Sequence, residues 1–223
     1  MNNHNKIGQD SLKYQYKSRN LPHWYSADKP VFVTYRLKFT IPMSVITEFN
    51  AKRSEWFQNL SNMKVDDKLA EEANKSLTQF YWLDELISKS AEVPQILSRK
   101  DLTDVITDTF NHHNKIRYDL LAYCVMPNHV HVLFNPLKQS DGDIYPLARI
   151  TYSWKRFTAT KINRILKRSG ALWQQESYDH MVRDESELRS MMQYIIDNPV
   201  KAGLVDKWED WYGTWIHEDY RPR

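Results

Sequence analysis

Five apolar residues, Val31, Val33, Tyr35, Leu37 and Phe39, alternate with Phe32, Thr34, Arg36 and Lys38. A period of two is that of a β-strand. The side carrying Arg36 and Lys38 reads as basic and accessible, and Pro42 stops the strand. From residue 44 to 97 the spacing lengthens to three and four: Val45, Ile46, Phe49, Trp56, Phe57 and Leu60, then Leu77, Phe80, Tyr81, Leu83 and Ile87. That predicts a helical segment inserted after the first strand, with Lys52, Arg53, Lys64, Lys68 and Lys75 on a solvated face. Leu102, Val105, Ile106 and Phe110 predict a helix over about 98–114. Apolar runs at 118–125 and 129–134, parted by Pro127 and Asn128, predict strand, tight turn, strand.

A long helix over 146–169 follows, with Leu147, Ile150, Trp154, Phe157, Ile162 and Ile165 as its core stripe and Gly170 as its stop. Arg149, Arg156, Arg164 and Lys167 fall on the opposite face as a basic ridge. Residues 173–182 read as another strand. Asp184-Glu185-Ser186-Glu187 has the form of a capping box opening a last helix with the stripe Leu188, Met191, Met192 and Ile195. Pro199 disfavours helical geometry at Asn198 and is expected to end that helix.

Composition narrows the class. At 223 residues with 13% aromatics the chain can bury a sizeable core, and one domain is expected. A lone cysteine, Cys124, excludes an intramolecular disulfide. No apolar run approaches the ~20 residues needed to cross a bilayer, and the polar N-terminus lacks a signal-peptide core; the expected location is the cytoplasm, with no membrane partner. A net charge of +3 permits nucleic-acid binding without arguing for it.

The chemistry concentrates in two places. In a strand, His129 and His131 share one face while Val130, Val132 and Phe134 share the other, so two imidazoles stand side by side, either as a structural pair or as a grip on one divalent ion. On the last helix Tyr194 and Asn198 are four apart and lie on one side, with Glu187 roughly in line. Taken alone they read as a core-edge residue and a C-terminal cap.

Six motifs occur in order: Leu21-Pro22-His23-Trp24; Phe32-Val33-Thr34-Tyr35-Arg36-Leu37; the run from Tyr123 to Phe134; the run from Trp173 to His180; Val182-Arg183-Asp184-Glu185; and Tyr194-Ile195-Ile196-Asp197-Asn198-Pro199-Val200-Lys201-Ala202-Gly203-Leu204-Val205. Together they closely resemble the REP-associated tyrosine transposases, bacterial relatives of the single-strand insertion-sequence transposases, over about Leu21 to Val205, which implies one domain over 1–205 and a tail over 206–223. The resemblance implies an α+β fold: a ferredoxin-like antiparallel sheet packed by helices. It also implies a metal site at His129 and His131 with Asn198 as third ligand, and Tyr194 as nucleophile. Mg or Mn is the implied ion. Imidazoles alone would equally suit Zn or Ni, but an amide oxygen and a phosphate favour the harder cations.

The implied activity is metal-dependent cutting and joining of single-stranded DNA at hairpin-forming palindromic repeats through a 5′-phosphotyrosine. The candidate DNA contacts are Arg36, Lys38, Lys155, Arg156, Arg164 and Lys167. Two other readings stay open: a non-catalytic DNA or RNA hairpin-binding module, and a hydrolase using activated water. The residues do not choose between a monomer and a homodimer, and no role follows for Trp208, Trp211 and Trp215.

Overall fold

Strand and helix signals resolve into seven strands and five α-helices among the described residues. In chain order they are β1 (Gln15–Ser18), β2 (Pro22–Tyr25), β3 (Val31–Arg36), α1 (Met43–Ser61), α2 (Lys75–Lys89), α3 (Lys100–His112), β4 (Tyr118–Val125), β5 (His129–Pro136), α4 (Leu147–Ile165), β6 (Tyr178–Met181), α5 (Glu185–Lys201) and β7 (Thr214–Ile216). The computed structural model describes residues 15–18, 22–25, 29–39, 41–61 and 75–222. Leu21 of the first motif, and Lys64 and Lys68 of the charged helical face, lie outside them. No helix among the described residues is long and apolar enough to cross a membrane.

Five strands form one antiparallel sheet in the order β6-β3-β5-β4-β7. Taking β3, α3, β4, β5, α4 and β6 as a unit gives β-α-β-β-α-β, with the fourth strand beside the first and the third between first and second. This is the ferredoxin-like arrangement expected. Helices α3 and α4 cover one face, where Leu102, Ile106, Phe110, Ile150, Trp154 and Ile162 pack on Val31, Val33, Tyr35, Val130, Val132 and Phe134. On the other face α5 and part of α2 cover Phe32, Ala122, Cys124 and Leu133 with Leu188, Met191, Met192, Ile195 and Phe80. Strands β1 and β2 pair with each other as a separate hairpin.

Several expectations shift. The face of β3 with Phe32, Thr34 and Arg36 is not accessible: Phe32 and Thr34 are fully buried because α2 and α5 lie over it. Regular pairing of β3 ends at Arg36, beyond which Leu37 keeps a single bridge to Trp173. Of the expected strand over 173–182, only Tyr178–Met181 pairs regularly. In α4, Phe157 and Ile165 are exposed, and Thr158 joins Ile162 on the buried side, its hydroxyl accepting from Trp173 Nε1 at 2.9 Å.

Pro199 does not end α5, which continues to Lys201. The terminator is Gly203, at φ +68°. Its N–H donates to Val200 O and that of Leu204 to Pro199 O, both at 2.9 Å, a Schellman closure that requires the left-handed conformation glycine adopts freely. The segment set apart as a tail supplies β7, which pairs with β4. Trp211 is buried there and donates Nε1–H to Val125 O at 2.9 Å. Trp215 stacks on Tyr123 at 5.8 Å.

Candidate active site

Alternation along β5 turns His129 and His131 toward the α2 and α5 side, where both are fully buried. Each ring is held through Nδ1. For His129 the partner is Asn128 Oδ1 at 2.5 Å, and for His131 it is Thr34 Oγ1 at 2.7 Å, from the adjacent strand. Asn128 directs its Nδ2 toward Ile87 O at 3.5 Å, so its Oδ1 is the atom that accepts from His129. That fixes the proton of His129 on Nδ1 and leaves a lone pair on Nε2. The two Nε2 atoms face each other at 2.8 Å. Burial pushes the His129 pKa well below the ordinary histidine value, against the pull of Asp84, which keeps the ring neutral.

Helix α2 brings Asp84, also fully buried, into the same cluster. Its Oδ1 accepts from Arg36 Nη2 at 2.5 Å and lies 3.6 Å from His129 Nε2. Its Oδ2 lies 3.2 Å from His131 Nε2 and accepts from the Tyr194 hydroxyl. Burial alone would raise this carboxyl, but the Arg36 guanidinium and the hydrogen bond from His131 hold it far below the usual carboxylate range. Arg36 also stands over the Phe80 ring at 5.7 Å and has a buried Nε without a hydrogen-bond partner.

Helix α5 presents Tyr194 to the cluster, its ring 5.4 Å from that of His131 and packed on Tyr81 at 4.5 Å. Burial, then the charge of Asp84 and the hydrogen bond to it, push the phenol pKa well above its usual value, while Asn198 and Arg36 oppose the shift. The resting hydroxyl is therefore protonated. Asn198 lies one turn further along and donates Nδ2 to Tyr194 O at 2.7 Å.

The start of α5 is fixed by Asp184, whose Oδ1 accepts from Glu187 N at 2.9 Å. Glu187 in turn accepts from the Arg183 backbone N–H at 2.6 Å and from its guanidinium at 2.7 Å, with His180 Nε2 at 3.1 Å. Capping and charge together thus set the register that delivers Tyr194.

Of the residues expected at the site, the structure gathers His129, His131, Tyr194 and Asn198 in one place. Arg36 joins them as the partner of Asp84 rather than lying on an open face. Lys155 ties α4 to the following loop through Gln175 O at 2.9 Å and Ser177 Oγ at 3.1 Å. Lys38, Arg156, Arg164 and Lys167 are exposed and stand apart from the cluster. Helix α4 carries Arg149, Lys155, Arg156, Lys161 and Arg164 and no carboxylate, with Tyr152 and Phe157 exposed among them. Lys155 and Arg156 border a cavity of about 700 Å³ between α4 and residues 171–177. Sequence reasoning missed Asp84. Its one local signal was an acid in line with Phe80, Leu83 and Ile87, on the apolar side of its helix.

Residues 86–198 match the family described as "Transposase IS200 like". A REP-associated tyrosine transposase of Escherichia coli (strain K12) is 30% identical over 103 residues, 46% of this chain and 56% of that protein. A Haemophilus influenzae protein named for the same group is 32% identical over 112 residues, 47% of this chain and 62% of that protein. The chain therefore spans less than two thirds of the length of these relatives. A solved structure of a REP-associated tyrosine transposase bound to a REP hairpin is similar in fold, with a TM-score of 0.51 at 16% identity over 92% of this chain and 88% of that one.

Proposed function

The chain belongs to the IS200-like transposase family, and from that premise we propose that it cuts and rejoins single-stranded DNA beside a hairpin, with Tyr194 as the nucleophile. The observation that carries this reading is the convergence, in one buried cluster, of the Tyr194 hydroxyl and two imidazole Nε2 atoms 2.8 Å apart. Oriented imidazoles whose Nδ1 atoms are held by neighbouring groups suit a divalent ion. His129 and His131 would hold it, with Asn198 beside them, and Mg or Mn is the reading. Such an ion, when bound, polarises a phosphate and offsets charge developing on its oxygens.

The residues of the chain divide the remaining work. Tyr194 bonds through its phenolic oxygen to phosphorus while the bond from phosphorus to the 3′ oxygen breaks. One phosphoester replaces another, the phenolic proton is balanced by protonation of the departing 3′ oxygen, and the strand is left as a 5′-phosphotyrosine and a 3′ hydroxyl. Reversal by a second 3′ hydroxyl needs no ATP, which is the logic of a strand transferase. Arg36, with one N–H uncommitted, supplies positive charge beside the cluster. The α4 surface, with Arg156 and Arg164 exposed beside Tyr152 and Phe157, offers phosphate contacts and stacking to DNA. Lys38 and Lys167 are further candidates for the same surface. The hairpin in the structural relative supports a hairpin substrate here.

The test is a covalent one. Labelled hairpin DNA with unpaired flanks, incubated with the protein and Mg or Mn, should give an adduct that survives denaturation and disappears in Tyr194→Phe and His129→Ala. Binding without cleavage would leave a hairpin-binding module. Cleavage without an adduct would leave a hydrolase using activated water.

A further inference from the structure

We infer that Asp84 is a ligand of the metal site, so that a helix outside the family-matched segment completes the catalytic centre. This rests on the reading of His129 and His131 as metal ligands. The matched segment begins at residue 86, which leaves Asp84 and most of α2 before it. Yet α2 is not peripheral: its Asp84 carboxylate, His129 Nε2 and His131 Nε2 form a group of potential ligand atoms all within 4.8 Å of one another.

Three features of that group point to a cation. The first is spacing. Ligand bonds of about 2.0–2.2 Å place neighbouring donors of one coordination sphere about 3 Å apart, and here the two Nε2 atoms are 2.8 Å apart while Asp84 approaches His131 through Oδ2 at 3.2 Å and His129 through Oδ1 at 3.6 Å. The second is the kind of atom. His129 Nε2 carries a lone pair because its Nδ1 donates to Asn128 Oδ1, and it faces both His131 Nε2 and a carboxylate oxygen. A proton on His131 Nε2 can satisfy one of these contacts; a divalent ion satisfies all of them. The third is burial. All three residues have no exposed surface, and a buried anion among neutral rings requires positive charge. Arg36 supplies it at Oδ1, which leaves Oδ2 with only the neutral Tyr194 hydroxyl and His131 Nε2 beside it.

Asn198, also buried, differs in charge. Its amide is neutral, and its side chain is anchored by Nδ2 to Tyr194 O within its own helix at 2.7 Å, which leaves Oδ1 as its one possible donor atom. Asp84 also holds the Tyr194 hydroxyl, so the same carboxylate that would bind the ion keeps the nucleophile beside it. Two imidazoles and a carboxylate can hold any first-row divalent ion, and Mn, one of the two ions of the proposed function, serves as the probe.

The experiment is a calorimetric titration of the full chain with Mn alone, in wild type, Asp84→Asn, Asn198→Ala and His129→Ala. Asp84→Asn keeps shape and removes charge; it should weaken Mn binding by at least about tenfold, and more than Asn198→Ala does. An Asp84→Asn protein that binds Mn as tightly as wild type, while His129→Ala does not, would overturn the inference and leave the two-histidine site standing. An Asp84→Asn protein that binds hairpin DNA more tightly with Mn affinity unchanged would also overturn it, making the carboxylate an internal stand-in for phosphate. Wild type that binds no Mn would remove the metal centre itself, and the inference with it. Should Asp84→Asn fail to fold, the infrared difference spectrum of wild type with and without Mn decides: a shifted pair of carboxylate stretching bands is expected, and their absence would refute the assignment.

Discussion

Replacing Arg36 by leucine tests the electrostatic core of the site directly. Its guanidinium and the Asp84 carboxylate are 2.5 Å apart, with side chains only 11% and 1% exposed. Water does little to screen such a pair, and removing one partner strands the other charge in a low-dielectric interior at a cost of about 3–5 kcal/mol. Domains of this size shift their melting temperature by roughly 2–4 °C per kcal/mol, which gives an expected fall of about 6–20 °C. Losing the contact of Arg36 with the Phe80 ring adds about 2 kcal/mol at such a desolvated site, a loss that neutralising Asp84 as well does not recover.

The double variant Arg36→Leu with Asp84→Asn removes both charges and should recover most of the loss, because the penalty lies in the unpaired ion rather than in the missing bond. The measurement is a thermal and urea melt of both single variants, the double variant and wild type at neutral pH, repeated in high salt. A buried pair keeps its coupling in salt, whereas an exposed one such as Lys100 with Asp104 does not. If Arg36→Leu melts no lower than Lys100→Ala, or if the coupling in the four-variant cycle vanishes in salt, the buried-pair account is wrong.

Two further expectations follow from other buried groups. Burial pushes the Glu187 carboxyl up, but the Arg183 side chain and backbone N–H, with His180, carry it below its ordinary value. Its contribution is therefore present above the unfolded value near about 4.3 and lost as pH falls through the lower folded value; Glu187→Gln should cost about 1–2 kcal/mol at pH 7, with the gap to wild type closing in acid melts below about pH 4. Burial pushes the Cys124 thiol up to about 12, so a disulfide reagent at pH 8 should leave the native protein unlabelled and react fully in denaturant; fast labelling of the folded chain would contradict the packing of β4 under α5.

What the sequence discloses and what it hides divide along the range of the interaction. Alternation in β3 and β5 and the stripes of α3 and α5 depend on neighbours a few residues away, so they are legible, and with them the shared face of His129 and His131 and the side of α5 that bears Tyr194. Period alone does not say what covers a face. The Arg36 side of β3 looks basic and open, yet it is buried because α2 folds back over it. Pro199 shows a local rule overridden: the residue one turn from the helix end lacks an N–H, but Gly203, with its Schellman bonds, sets the stop. Asp84 is the furthest case, since its partner Tyr194 is 110 residues away and no motif joins them. Charge burial nonetheless leaves a trace. An acid among Phe80, Leu83 and Ile87 cannot sit on the inner side of a helix unless the fold brings cations or metal-binding groups to it. Such an acid therefore predicts partners elsewhere in the chain, and the buried Arg36, His129 and His131 answer that prediction.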